Sequence, residues 1–415
     1  MAEITDSGYP KKDEVIHASD VGETFTDTAT WVLVGDPWKE YTEKLIRRNG
    51  DEVSAISYIE GSLDSKASGR VFMSVETAKS SLQTLANEHH THTSSNFTEL
   101  NDWRIRTDAS NTNDLVFGDL YHDKWYLVPD SKFGTTEIES VCYGNGKFVA
   151  VGDSGKMAYS TDGINWTAVT NSGFDTKTIK GVCYGNGKFV AGGANGKVAY
   201  SSDGVNWTLV SDSKFGSNYI CDICYGNGKF VAVGDAGKIS YSTDAINWTA
   251  VTNSKFGVYS INSVCYGNGK FVAVGDEGKI AYSTDAINWT AVSDSKFDIY
   301  AVYSVCYGNG KFVAGGDYGI ISYSTDAINW TSVSDSKFDS TSGIYGVCYG
   351  NGKFVAVGHK STGSSYSGKI AYSSDGVTWT AVSDSKFDGL QIQSVCYGNE
   401  KFVAVGTSGK ILYAI

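Results

Sequence analysis

The chain has 415 residues, with 48 glycines, 3 prolines, 13% aromatic and 41% apolar residues, a mix that excludes a disordered chain and suits many short strands joined by glycine turns. Its net charge is −12, so there is no basic excess to neutralise phosphates, which argues against a nucleic-acid partner. No apolar run approaches the ~18 residues of a spanning helix, which argues against membrane insertion.

The start, MAEITDSGYPKKDEVIHASD, has no apolar stretch after its lysines and does not read as a secretory signal. Residues 1–118 are expected to form a small α+β N-terminal module. All five arginines (Arg47, Arg48, Arg70, Arg104, Arg106) lie there and none follows, which suggests that the two parts of the chain have different origins. Asp36-Pro37 and the following WKEYTEKLIRR predict a capped helix that Asn49-Gly50 ends. A second helix is expected from Val75 to Asn87. His90 and His92 form an HxH pair whose imidazoles share one side of an extended strand. In a three-fold oligomer, three such pairs would supply six nitrogens to one metal ion, as in trimeric phage fibres. A solvated loop is the competing reading, and no other cofactor is implied.

From residue 119 onwards one unit repeats. The string CYGN begins at Cys142, Cys183, Cys224, Cys265, Cys306, Cys348 and Cys396, at spacings of 41, 41, 41, 41, 42 and 48 residues. A period near 41 residues fits a four-stranded propeller blade. In the first unit the strands centre on Val141–Tyr143, Lys147–Gly152, Lys156–Ser160 and Asn165–Val169. Asn145-Gly146, Asp153-Ser154-Gly155 and Asp162-Gly163 supply the turns between them. The last unit stops after three strands. A stray fourth strand, Lys124–Val128, precedes the first unit and matches NWTAV. The expected architecture is therefore an all-β seven-bladed β-propeller over residues 119–415, its ring closed by the Trp125 strand. Each blade then carries one tryptophan: Trp125, Trp166, Trp207, Trp248, Trp289, Trp330 and Trp379. A solenoid would need capping units rather than a split one. The seven strand cysteines are expected as small buried apolar residues, and Cys221 with Cys224 as a CxxC split between two strand faces.

The segment STDGINW (160–166) resembles the Asp-box of bacterial-neuraminidase-type repeats, over roughly residues 120–415. It departs from that pattern in having Asp and Trp four residues apart, one fewer than usual, and in three copies with Ala after the Asp. The resemblance implies a structural turn between the third and fourth strands, fixed by Asp162, Asp203, Asp244, Asp285, Asp326 and Asp375 accepting backbone N–H groups. Sialidase activity would require an arginine cluster to hold a substrate carboxylate, and the propeller has no arginine. Other glycoside hydrolysis needs one unique pair of carboxylates, whereas most acids here recur in turns. The expectation is a binding protein, not an enzyme.

Near-identical repeats make their differences informative. Most fall in the five residues before each first strand. The position three before each Cys reads Glu139, Lys180, Cys221, Asn262, Tyr303, Tyr345 and Gln393. The one large insertion, 359–368, carries Tyr366. Tyr219, Tyr259 and Tyr300 add further aromatic area, which recognition surfaces use at low entropic cost. The expected ligand-binding set is these residues on one face; the alternative is drift of solvated loops. PKKDEVIHAS (10–19) and the pairing of a short adaptor with a repetitive head are similar to phage tail and baseplate proteins. That resemblance implies a virion protein, made in the host cytoplasm without a signal peptide. Its N-terminal module would hold other tail proteins, and its propeller would meet a host-surface glycan or protein. A structural docking platform, a cellular lectin-like propeller and a glycan hydrolase are the alternatives.

Overall fold

The computed structural model describes residues 125–414, except 364 and 384, and six strands between residues 31 and 117. The chain divides into two units, Met1–His122 and Asp123–Ile415. In the first, Glu43–Asn49 pairs antiparallel with Glu52–Ile59 and with Trp31–Leu33. Asn111–Phe117 pairs with Ile105–Asp108 and with Arg70–Val71. The second half of the helix expected from Asp36 is thus a strand. Its Asn49 stands opposite Glu52, so a two-residue connection places it against the β-patterned run VSAISYI, and ladder pairing overrides local helix propensity. The helix expected at Val75–Asn87 and the pair His90 and His92 lie outside the described residues.

The second unit forms seven four-stranded antiparallel sheets. In blade I the strands are Ile138–Gly144, Lys147–Gly152, Met157–Ser160 and Thr167–Ala168. The first strands touch one another in cyclic order, the seventh meeting the first, and so form the innermost ring. The seventh sheet is completed by Tyr126–Leu127, with Tyr126 opposite Tyr413 and Leu127 opposite Leu412. The Val128 N–H donates to the Ile411 carbonyl at 2.9 Å. The split blade expected from the chain ends is what closes the ring, and no strand edge is left between first and last blade.

The core lies between blades rather than inside them. Phe133, Ile138, Phe148 and Trp166 of blade I pack with Val128, Val403, Val405 and Ile411 of blade VII. Equivalent clusters occupy the other interfaces. Each first strand ends in a glycine, and the tyrosine of the next blade lies directly over it. A Cβ on Gly144 would overlap Tyr184, and the same relation runs round to Gly398 and Tyr143. That contact explains why CYG recurs. The cysteines before it are unpaired and half-buried, less enclosed than expected. Burial still pushes their thiols above the ordinary value, with a neighbouring thiol second for Cys142, Cys183 and Cys224, which disfavours the reactive thiolate.

The turns hold their expected chemistry. Asn145 and Gly146 have φ of 47° and 72°, as a two-residue hairpin turn of matching twist requires. In the third turn, Asp162 Oδ1 accepts the N–H groups of Ile164 (2.8 Å) and Asn165 (2.7 Å). Its Oδ2 accepts the Asn165 side-chain amide at 2.8 Å. Asp203, Asp244, Asp285 and Asp326 repeat this pattern, and Asp375 does so with Thr378 in place of Asn. These bonds hold the carboxylates well below their usual range; for Asp244 the Asn247 backbone N–H contributes most. Ala245, Ala286 and Ala327 sit at φ 66–68° and are fully buried. A left-handed alanine costs roughly 1–2 kcal/mol, and burying its methyl returns about 0.8 kcal/mol, so Gly and Ala interchange here at small net cost.

Neighbouring first strands are also bridged by side chains. Ser263 Oγ accepts Val305 N–H (3.4 Å) and Ser304 Oγ accepts Val347 N–H (3.0 Å). Blade III has Asp222 at this position. It accepts from Val264 N–H (3.0 Å) and Ser263 Oγ (2.9 Å). Burial raises its carboxyl to about 6, against the lowering by these hydrogen bonds. This folded value lies above the unfolded one. Asp222 therefore works against folding above pH 6, and that penalty fades as pH falls from 6 towards 4. Asp222→Ser is expected to stabilise the protein by roughly 1–3 kcal/mol at pH 8. The gain should shrink on acidification to pH 4, read by urea denaturation at several pH values. A gain that does not change with pH would contradict the assignment.

Candidate functional site

The segment entering each blade and the turn between its second and third strands share one face. Asp153 N–H donates to the Glu137 carbonyl at 3.1 Å, and Lys156 Nζ donates to the Phe133 carbonyl at 2.8 Å. The opposite face carries the Asn-Gly turns and the repeated Asp turns, where Lys147 Nζ reaches the Asp203 carbonyl of the next blade at 3.0 Å. The insertion after Gly358 extends the second hairpin of blade VI, with Ser361 opposite Tyr366, on the entry face.

The variable residue three before each cysteine has a structural definition that periodicity did not reveal. In all seven blades the register of the first hairpin shifts around it: between Ile138 and Ser140, Ile179 and Gly181, Ile220 and Asp222, and so on to Ile392 and Ser394. It is the extra residue of a β-bulge. A bulge frees one residue from the ladder and re-aims its side chain, so its identity is not dictated by strand packing. The residue fourteen positions later, first in the second turn, faces it. In blades III to V that residue is Asp235, Asp276 or Asp317. Cys221 Sγ lies 3.9 Å from Asp235, the Asn262 amide donates to Asp276 at 3.0 Å, and Tyr303 OH donates to Asp317 at 2.9 Å.

Two groups form around this channel mouth. Across blades VII, I and II the group is polar. Lys180 Nζ bonds Glu139 Oε1 at 2.6 Å, and the Gln393 amide bonds Glu137 Oε1 at 2.5 Å. Glu137, Glu139 and Asp153 have carboxylate oxygens within 4.8 Å of one another. Burial raises the carboxyl of Glu139, and the Lys180 ammonium offsets part of that. This cluster already holds its cation, the Lys180 side chain.

Across blades V and VI the group is aromatic. Tyr303 meets Tyr345 edge-on at 5.2 Å between centroids. Tyr345 lies 5.1 Å from His359, and His359 4.9 Å from Tyr366. Burial, with the charge of Asp317 second, raises the Tyr345 hydroxyl to about 12. Next to this string Tyr300 packs on Tyr318 at 4.4 Å. Tyr318 stands at φ 57° and is 52% exposed, although a bulky residue in the left-handed region carries a strain of about 1 kcal/mol or more. Tyr259 is exposed, with the Lys279 ammonium 5.2 Å from its ring. Tyr219 is exposed at the entry to blade III, its carbonyl accepting Asp235 N–H at 3.1 Å. Beside these, Val258 is 81% and Ile299 71% exposed.

Of the residues singled out in the sequence, Glu139, Lys180 and Gln393 therefore fall in the polar group. Tyr300, Tyr303, Tyr345 and Tyr366 fall in the aromatic one. Asn262 lies between them, bonded to Asp276 and to the Val302 carbonyl at 3.1 Å. Sequence reading missed His359 and the turn residues Asp235, Asp276, Asp317 and Tyr318. For all but Tyr318, which follows Asp317, the signal was the constant fourteen-residue offset from the bulged position.

No protein-family model and no curated protein matches the chain. Among solved structures it is similar to YCF48 bound to D1 peptide, at 15% identity over 70% of this chain and 94% of that one, with a TM-score of 0.55. It is likewise similar to YCF48 from Cyanidioschyzon merolae (17% identity, 70% and 98% coverage, TM-score 0.53) and to the WD40 β-propeller domain of Doa1 (15% identity, 70% and 97% coverage, TM-score 0.53). At these identities the likeness shows the fold, a β-propeller ring built from tandem repeats.

Proposed function

We propose that this is a non-catalytic recognition protein whose propeller binds a macromolecular partner through the blade-entry face. One observation carries the reading. The sevenfold frame is held constant by its turns and inter-blade glycines, while side chains released by the seven bulges differ from blade to blade. Across blades III to VI they stand among exposed aromatic and apolar groups. Patches of this kind, ringed by polar residues, mark interaction sites. Tyrosine-rich surfaces bind with little loss of side-chain entropy. The similar YCF48 structure with D1 peptide is a precedent for a peptide partner on such a ring. The absence of arginine after residue 106 speaks against a sialidase, and the recurrence of acids in turns against other glycoside hydrolysis.

In its finer form the proposal places the protein in a phage tail or baseplate. Residues 1–118 would attach to other virion proteins, and the propeller would meet a host-surface receptor. Genes for tail proteins beside this one would support that setting, and a neighbourhood of cellular metabolic genes would contradict it. Substituting Tyr300, Tyr303 and Tyr345 together by alanine should weaken partner binding by roughly a hundredfold or more, because buried aromatic anchors dominate such interfaces. The melting curve should remain a single transition. Unchanged binding by this variant would refute the proposal.

A further inference from the structure

The chemistry of the channel mouth narrows the class of partner; this inference rests on the entry face being the binding surface. Carboxylates gather at the bulge and turn positions of the mouth, among them Glu137, Glu139, Asp153, Asp235, Asp276 and Asp317. Lys180 is the one basic residue at the bulge positions, and it is already bonded to Glu139. In blades I, III and IV a lysine follows each mouth Asp by three residues: Lys156, Lys238 and Lys279. In blade V that residue is Ile320. Asp317 is thus the mouth Asp whose own turn carries no lysine, and it is the one beside the aromatic string.

A cluster of acids alone would carry little. Here the string Tyr303–Tyr345–His359–Tyr366 adjoins it, and it contains a polar atom that folding does not explain. His359 is 9% exposed, and its Nδ1 is buried with no hydrogen-bond partner. A buried nitrogen left without a partner destabilises the fold. His359 stands fourteen residues after Tyr345, as Asp317 does after Tyr303, but on the extended strand Lys353–Ser361. Its ring packs on Tyr345 with centroids 5.1 Å apart, and the charge of Asp317 bears on it, which places it beside the acidic side of the mouth. Burial disfavours its charged form. The mouth therefore offers aromatic faces, a neutral imidazole and carboxylates. An anionic ligand would be repelled. A neutral sugar would use the rings but leave the negative charge uncompensated.

We propose that the mouth beside blades V and VI seats a cationic side chain from an extended segment of a partner protein, an arginine in preference to a lysine. A guanidinium stacks on tyrosine faces while its edge donates to a carboxylate. Lys180 on Glu139 shows, within the same ring, the mouth holding a cation.

The test is ligand-observed saturation-transfer NMR on the full chain at low ionic strength. The probes are acetyl-Gly-Arg-Gly-amide and its lysine and citrulline counterparts. The arginine peptide should bind, the lysine peptide roughly tenfold more weakly, and the isosteric but neutral citrulline peptide not measurably. Asp317→Asn leaves Tyr303 an oxygen to donate to and should weaken the arginine peptide roughly tenfold; Tyr345→Leu should do the same. Equal binding of arginine and citrulline, no binding of arginine, or an unaffected Asp317→Asn would overturn the inference. Equal binding of lysine would overturn the preference for arginine. If the triple tyrosine variant loses its partner although the arginine peptide does not bind, the entry face stands and only the cation assignment falls. If that variant keeps its partner, both fall.

Discussion

Trp125→Ala in the full chain is expected to lower stability by about 3–5 kcal/mol, the range for emptying a buried tryptophan site. Trp125 is 3% exposed and packs with Val355, Ile370, Phe387 and Ile392 at the junction of blades VI and VII. Adding Val128→Pro should do more than its local cost. It removes the N–H that donates to the Ile411 carbonyl and disturbs the core shared by blades I and VII. With both changes the strand that completes blade VII should detach. Ile411–Ala414 then becomes an open edge, a template for pairing with a second chain. Circular dichroism melts and light scattering would read this as a broadened transition with self-association. A sharp melt like that of the unchanged chain would mean that the ring does not depend on the N-terminal strand.

Gly308→Ala is the second large effect. The added methyl would overlap the ring of Tyr349 in the next blade. The overlap falls on Tyr349 Cγ and Cβ, at the root of the side chain, and the ring also packs on Phe354 with centroids 4.7 Å apart, so rotating the ring does not relieve it. Overpacking of this kind costs about 1–3 kcal/mol where neighbours can shift, and more where they cannot. We expect at least 3 kcal/mol, on the order of the Trp125 change. Chemical denaturation would measure it. Pairing Gly308→Ala with Tyr349→Ala should restore part of the loss in a double-mutant cycle. An additive result would show that the glycine is retained for another reason.

Much of this architecture was legible because each blade writes its own punctuation. The seven CYGN strings, the Asn-Gly turns and the unpaired strand at Lys124–Val128 are local signals, and a ring is the arrangement in which the first and last units complete each other. The bulge was not legible. It is a relation of register between two strands, and Glu139 or Tyr303 looks like an ordinary strand residue until its partner strand is in place. The pairing of Tyr303 with Asp317, and of Tyr345 with His359, was hidden for the same reason. The strand at Glu43–Asn49 shows the opposite error. A capping signal at Asp36-Pro37 and favourable helix formers were read as decisive, while the partner run at Glu52–Ile59 settled the matter.

The bulge also separates stability from recognition in physical terms. Residues that fix the ring, such as the glycine equivalent to Gly308 and the tryptophan equivalent to Trp125, recur in all seven blades, and the Asp turn in six, because each faces the same neighbours. Bulged residues face the channel mouth, where the neighbours are other bulged residues and the second turns. Variation there costs little folding energy, and the surface can specialise without disturbing the frame.

The most direct test of the entry face as the recognition surface is a pair of arrays, one of glycans and one of peptides, probed with labelled full-length protein. Two variants run beside it: Tyr300, Tyr303 and Tyr345 to alanine on the entry face, and Ile246 and Ile287 to serine on the opposite face. The account predicts discrete signals, arginine-containing peptides among them, that the tyrosine variant loses and the isoleucine variant keeps. Signals that survive the tyrosine changes and vanish with the isoleucine changes would contradict it.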